Sequence, residues 1–227
     1  MKGLRTTRHR VLVADDHPLF RDALVQLINR ESDLCCCGEA ATGAATVQTV
    51  LKEQPDLVIL DLRFPDGNGL DLIKTLKGHC PRLAVLVLTQ LDESLYAERV
   101  LRAGALGYLM KDEVAQEVGD AIRTVLQGQL YVSRKMAVRV LQKTLQNPAG
   151  EGSSDVARLS NRELRIFEMI GAGQSTREIA ASLGLSVKTV EAHRENIKHK
   201  LGLPDAASLR QRATNWVNRG TGSPSAS

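Results

Sequence analysis

Nowhere in the 227 residues do about 18 apolar residues stand together, so the sequence holds no segment with the length of a membrane-spanning helix. Residues Met1 to Arg10 are basic, but they lead straight into a short strand pattern and not into the long apolar stretch of a secretion signal. A cytoplasmic protein is the expectation. Cysteine is scarce: Cys35, Cys36 and Cys37 are consecutive and Cys80 is alone. Neighbours along a strand point to opposite faces, which makes the triplet a poor metal cluster or disulfide pair. Reduced, mostly buried core thiols are expected instead. Internal repeats are absent, and so is a nucleophile–histidine–acid trio, which argues against a hydrolase.

The net charge of +4 conceals an asymmetry. Residues 1–130 carry 15 Lys and Arg against 18 Asp and Glu, residues 131–157 carry 4 against 2, and residues 158–227 carry 11 against 6. The first part is slightly acidic and the last part basic, so the two have different partners, and the basic part suits a polyanion.

What the chain does contain, over residues 8–130, is strict alternation. Short apolar strand patterns at Arg10 to Ala14, Leu34 to Cys37, Leu57 to Leu60, Leu83 to Leu88 and Gly107 to Met110 are each followed by a helical pattern. Those helices read as beginning near Pro18 (with Leu19, Leu24, Leu27 and Ile28 as its apolar stripe), then Ala44 to Gln54, Gly69 to Gly78, Glu93 to Ala103 and Val114 to Gln127. Five βα units predict an α/β, doubly wound, five-stranded parallel sheet with right-handed crossovers. All strand carboxyl ends then lie along one edge, where open α/β sheets bind ligands. Asp15, Asp16, Asp61, Thr89 and Lys111 all fall there.

Asp61 taken by itself reads as a turn or helix cap. With an acidic pair across the crevice it becomes part of a hard-oxygen site whose charge calls for a divalent cation such as Mg²⁺. Metal, Lys111 and the Thr89 hydroxyl around one carboxylate make a phosphoryl-transfer site, with Asp61 as nucleophile and an acyl phosphate as product.

Those residues resemble the receiver domain of bacterial two-component response regulators, a CheY-like fold. The resemblance implies that Asp61 is the phosphoacceptor and that Asp16 and Asp61 bind Mg²⁺ with the backbone carbonyl of Arg63, Asp15 supporting. It implies that Thr89 and Lys111 bind the phosphoryl group and that Tyr108 is the switch aromatic. Pro65 and Gly69 stand four and eight residues after the acceptor, as in the family. Phe64 stands where methionine is commoner, and Gln90-Leu91 where small residues are usual; bulk there bears on access to the site and on phosphoryl lifetime.

Val132 to Leu145 is helical in pattern, and Gln146 to Asp155 is rich in Gly, Ser and Pro, the composition of a flexible linker. Beyond it lie helical patterns only: Asn161 to Gly171, Thr176 to Leu183, Val187 to Leu201, and Pro204 to about Val217. Ser160 and Glu163 form a capping box for the first. Arg219 to Ser227 reads as disordered, giving a tail over residues 221–227. The stretch around Gly184 joins a short helix to one capped by Ser186, a helix-turn-helix pattern. An amphipathic second helix with Lys188, Arg194, Lys198 and Lys200 suits a major groove, cations on phosphates.

The motifs Leu159-Ser-x-Arg-Glu163, Glu178-Ile-Ala180, Ser186-Val-Lys-Thr-Val-Glu191 and His193-Arg194 resemble the LuxR-type DNA-binding domain, over residues 158–220. Together the two halves resemble the NarL/FixJ class of response regulators, with residues 131–157 as a linker helix and flexible linker. In that class Lys188, Thr189, Glu191, Ala192, His193, Arg194, Glu195 and Lys198 belong to the DNA-binding helix, and the last helix mediates dimerisation on DNA. The implied protein is a transcription regulator and not an enzyme, switched when a sensor histidine kinase phosphorylates Asp61, and bound as a homodimer to double-stranded DNA. The alternative is a regulator independent of phosphorylation, whose receiver is a dimerisation or protein-interaction platform.

Overall fold

The computed structural model describes residues 8–65, 67–134, 136–138 and 155–220. Two compact units divide the chain, Met1–Pro148 and Ala149–Ser227. Of the helix expected at Val132 to Leu145, Val132 and Ser133 are not helical and Arg134 and Met136 to Val138 are; residue 135, residues 139–154 and the tail 221–227 lie outside the described residues.

The first unit is built on a sheet whose three inner strands carry apolar runs without a polar break. β1 (His9–Ala14), β2 (Leu34–Ala40), β3 (Leu57–Leu60), β4 (Ala84–Thr89) and β5 (Gly107–Met110) form one parallel sheet in the order β2-β1-β3-β4-β5. Helices α1 (Pro18–Arg30), α2 (Gly43–Glu53), α3 (Gly69–His79), α4 (Glu93–Ala103) and α5 (Val114–Leu126) supply the crossovers. Val58, Ile59, Leu86 and Val87 are essentially inaccessible, as strands covered on both faces require. Each such side chain contributes about 1.5–3 kcal/mol by leaving water. The switch in winding direction falls between β1 and β3, which is where such sheets open a crevice.

Three expectations need correction. Leu19 is not part of the α1 stripe: it is 85% exposed, while Leu24 and Ile28 are buried and Phe20 packs on the core. β2 runs three residues beyond Cys37, and a register shift against β1 leaves one of its residues, Cys37, between Cys36 and Gly38, the partners of Val11 and Leu12. All four cysteines are unbonded and half-buried; in the triplet Cys36 packs on the core, while the edge position of β2 and the bulge at Cys37 leave the three only partly covered.

Two tertiary ties were not expected from the sequence. Arg123 on α5 donates to both carboxylate oxygens of Asp33 at 2.9 Å and also to Glu31, holding the Asp33 carboxyl down at about 2. That pair stabilises fully above the usual carboxylate range and is lost as pH falls through about 2. After α5 the chain returns to the sheet. Tyr131 pairs with β5 beside Gly107, accepting from Tyr108 N–H at 2.8 Å and donating to Leu106 O at 2.9 Å. Ser133 then caps the next turn and is gripped by Glu93 of α4, its N–H 3.0 Å from Glu93 Oε1.

The second unit is helical throughout its described part after a 3-10 turn at Asp155–Arg158. α6 (Asn161–Gly171) and α7 (Thr176–Leu183) each begin with a complete capping box, Ser160 with Glu163 and Ser175 with Glu178. Gly184 ends α7 at φ 61°, a left-handed conformation that turns the chain into α8 (Val187–Leu201), which Ser186 caps. α9 (Ala206–Gly220) closes the bundle, with Trp216 edge-on to Phe167 at 5.7 Å between ring centroids. Leu164, Phe167, Ile179, Val190, Ile197, Leu209 and Ala213 form the core.

Candidate functional site

Sheet register alone brings the polar strand ends together. Ala14 lies opposite Leu60, and Leu60 opposite Val87, so Asp15 and Asp61 leave neighbouring strands side by side. Thr89 ends β4 and its carbonyl accepts the Lys111 N–H at 3.0 Å, which sets Lys111 on the far side of the same crevice.

Asp61 is 3% exposed, and donors surround it. Its Oδ1 accepts from the Leu62 N–H at 2.6 Å, the Thr89 hydroxyl at 2.7 Å and the Arg63 N–H at 3.3 Å. Lys111 Nζ is 2.8 Å from Oδ2 and 2.6 Å from Asp15 Oδ2, so one ammonium bridges two carboxylates. Beneath it the Phe20 ring centroid is 4.5 Å away, a cation–π contact. Asp15 Oδ1 accepts the His17 N–H at 2.9 Å. Asp16 is more open, but its Oδ1 is buried without a hydrogen-bond partner; His17 Nδ1 is only 2.7 Å away, placed off hydrogen-bonding geometry.

Two carboxylates therefore share one ammonium, a third lies beside them, and one of its oxygens is buried without a hydrogen-bond partner. Asp15, Asp16, His17 and Asp61 each offer a ligand atom within 4.8 Å of the others. Carboxylate oxygens with negative charge in excess are the donor set of a divalent hard cation, so the residues present fit one. His17 and Phe20 were not foreseen from the sequence. His17 follows the acidic pair directly, and that adjacency was the available signal; Phe20 could only be placed by knowing how α1 lies over Lys111.

Tyr108 is buried, its hydroxyl donating to the Leu91 carbonyl at 2.6 Å in the chain that follows Thr89. Gln90 points to solvent, and Phe64 and Leu91 are buried. Phe64 belongs to a two-residue antiparallel ladder, in which Arg63 faces Asn68 and Phe64 faces Gly67. This turn lets α3 start against the acceptor loop: a Cβ on Gly69 would be 2.5 Å from Leu62 Cα and 2.8 Å from the Asp61 carbonyl oxygen. Since both obstacles are backbone, Gly69→Ala is expected to cost roughly 1–3 kcal/mol and to displace Asp61 from Thr89. Thermal melts and phosphoryl uptake together check this; uptake at the wild-type rate would contradict it.

In the second unit the residues expected at a nucleic-acid surface divide into two sets. Lys188, Glu191, Ala192 and Glu195 are exposed along one stripe of α8, opposite the buried Val190 and Ile197, and His199, which the sequence reading passed over, continues it. Thr189, His193, Arg194 and Lys198 are half-buried beside it. The Thr189 hydroxyl meets Ser186 Oγ at 2.8 Å, Arg194 meets Thr176 Oγ1 at 3.3 Å, and Lys198 meets Glu195 at 2.9 Å. Lys200 is not a phosphate-facing cation: its Nζ is 2.6 Å from the buried carboxylate of Glu163.

Comparison with known proteins follows the same division. Residues 11–123 match the family model of the response regulator receiver domain, and residues 157–213 that of the bacterial regulatory proteins of the luxR family. The oxygen regulatory protein NreC of Staphylococcus carnosus (strain TM300) is 36% identical over 204 residues, 88% of this chain and 94% of that protein. RcsB of Salmonella enterica serovar Typhimurium, solved bound to promoter rprA with a phosphomimetic, is 25% identical, with a TM-score of 0.67 over 92% of this chain and 99% of that one. A structure of two RcsB dimers bound to two parallel DNAs matches with a TM-score of 0.65 at 25% identity, covering 90% and 98% of the two chains.

Proposed function

The chain belongs to the NarL/FixJ class of response regulators, in which a receiver is joined to a LuxR-type DNA-binding domain, and on that premise we propose that phosphorylation of Asp61 governs DNA binding by α8. The receiver implies a phosphodonor kinase and the helix-turn-helix implies DNA. We assign residues 8–130 to the receiver, 131–157 to the linker and 158–220 to the DNA-binding domain. The donor is a sensor histidine kinase, the regulator is cytoplasmic, and its active form is a homodimer on a two-fold DNA site, as the RcsB dimers on DNA favour.

The observation carrying this reading is the set of contacts on Asp61: a hydroxyl and main-chain N–H groups on one oxygen, the bridging ammonium on the other. In transfer, an Asp61 oxygen attacks phosphorus, the bond from phosphorus to the donor's imidazole nitrogen breaks, and an acyl phosphate forms. The donors already aimed at Asp61 stabilise charge as it moves onto the phosphoryl oxygens. Mg²⁺, when bound by Asp15, Asp16, Asp61 and the Arg63 carbonyl, neutralises that charge. The new dianion competes with Asp61 for Thr89 and Lys111. Rearrangement there is felt along β4 and β5, and so at Tyr108 and at the Tyr131 and Ser133 anchors of the chain leading to the second domain.

Acetyl phosphate with Mg²⁺ should phosphorylate the wild type and not Asp61→Ala, and should raise the affinity of the wild type alone for operator DNA. Unlabelled wild type would refute the acceptor role. Labelling without any change in DNA affinity would favour a receiver that acts only as a protein-interaction platform.

A further inference from the structure

The start of the linker is gripped by one carboxylate. Glu93, the first residue of α4, accepts the Ser133 N–H on Oε1 at 3.0 Å and the Ser133 hydroxyl on Oε2. The same hydroxyl oxygen accepts the Met136 N–H at 3.1 Å, and the Ser133 carbonyl accepts the Ala137 N–H at 2.9 Å. The residue that Glu93 holds is thus the cap of the helical turn by which the chain leaves the receiver, and Met136 in that turn is buried. Ser133 itself rides on β5. Two residues before it, the Tyr131 carbonyl accepts the Tyr108 N–H at 2.8 Å and the Tyr131 N–H donates to the Leu106 carbonyl at 2.9 Å.

One partner of the contact therefore belongs to α4 and the other to β5. The segment entering α4 is tied to Thr89 and to β5: the Leu91 N–H lies 3.5 Å from Thr89 Oγ1, and the Leu91 carbonyl accepts the Tyr108 hydroxyl at 2.6 Å. When the Thr89 hydroxyl leaves Asp61 for a phosphoryl oxygen, only Gln90, Leu91 and Asp92 separate that movement from Glu93. Ser133 does not follow it, because the backbone bonds of Tyr131 keep it with β5. A hydrogen bond of 3.0 Å is lost when its partners part by about 0.6 Å, so a small displacement of α4 opens the pair. A linker pinned at its first turn limits the directions from which two DNA-binding domains can engage a two-fold site together, and a released one does not. Resting on the phosphorylation-governed DNA binding argued above, we propose that the Glu93–Ser133 contact is a latch. Closed while Asp61 is unphosphorylated, it fixes the linker to α4 and holds DNA affinity down; phosphorylation opens it.

The test is hydrogen exchange of the full-length chain at the Ser133, Met136 and Ala137 amides, with and without acetyl phosphate and Mg²⁺. DNA affinity is measured on the same samples, against a duplex selected from a random pool by the phosphorylated wild type. In the wild type, phosphorylation should speed exchange at these amides by roughly tenfold or more, the sign of local opening. Unphosphorylated Glu93→Gln and Ser133→Ala should already exchange fast. They should also bind the duplex roughly fivefold or more tightly than the unphosphorylated wild type, and gain less from phosphorylation. The double variant should match the single ones, since each substitution breaks the same contact. A substitution that merely damaged the receiver would not tighten DNA binding, which separates a latch from a brace. Faster exchange absent from a phosphorylated wild type that binds more tightly, or variants that bind no better than the unphosphorylated wild type, would overturn the latch. Failure to select any duplex, or a wild-type affinity indifferent to phosphorylation, would instead remove the proposed function, and the latch with it.

Discussion

Replacing Lys111 by methionine is expected to lower the unfolding free energy of the receiver by about 3–5 kcal/mol in magnesium-free buffer at neutral pH, the cost of stripping a buried charge of its partner. The side chain of Lys111 is 5% exposed, and its Nζ is the only cation bridging Asp15 and Asp61 among the described residues. Methionine keeps the stem over Phe20, so packing is largely retained and the change isolates charge. What remains is three carboxylates in one crevice with no lysine or arginine side chain ion-paired to Asp15 or Asp61 among the described residues. Magnesium should therefore return part of the loss, and do so more in the variant than in the wild type, because ligand binding to the folded state alone stabilises it. Urea denaturation followed by far-ultraviolet circular dichroism, with and without millimolar Mg²⁺, measures both effects. An unchanged midpoint, or a variant indifferent to magnesium, would show that the ammonium does not balance the site. Phosphoryl uptake should fall as well.

Glu163→Ala is expected to destabilise the second unit by about 2–4 kcal/mol while leaving the receiver as it was. One 4% exposed carboxylate closes the capping box on the Ser160 N–H at 2.7 Å and holds Lys200 of α8 at 2.6 Å. Losing a cap costs about 1 kcal/mol, and losing a charge-assisted bond a further 1.5–3 kcal/mol. Trp216 is the single tryptophan and packs on Phe167, so its fluorescence reports the second unit. Burial pushes the Glu163 carboxyl up, but Lys200 and the Ser160 donors together outweigh it and hold it below its ordinary 4.5. The folded value is thus the depressed one, and the stabilisation is complete above pH 4.5 and fades as pH drops further. The gap between wild type and Glu163→Ala should narrow on acidification through that range. A tryptophan transition unmoved by the substitution would refute the account.

The sheet was legible because its strands are unbroken apolar runs ended by polar residues. Asp15, Asp61, Thr89 and Lys111 each follow such a run, and parallel topology forces such ends onto one edge. Register then did the rest. The sequence was mute where contacts join distant segments. Nothing local tells that Lys200 meets Glu163, 37 residues earlier, and helical periodicity alone made it one more groove-facing cation. Nor does it tell that Arg123 spans 90 residues to reach Asp33. Leu19 failed for a related reason: a 3.6-residue stripe has a margin, and which marginal residue is covered depends on the angle of α1 to the sheet. β2 was read short because Gly38 and Glu39 are poor strand formers, yet pairing with β1 carries them along.

The two borders of the central sheet bear on self-assembly. A border strand with free N–H and C=O groups is a template for a strand from another chain. On the β2 side, Asn29 of α1 accepts the Cys36 N–H at 2.9 Å and the bulge at Cys37 interrupts the ladder. On the β5 side, Tyr131 already takes the Tyr108 N–H and the Leu106 carbonyl. Both borders are thereby blunted against strand addition. On the proposed two-fold DNA site, neighbouring receivers would thus be kept from zipping into an extended sheet.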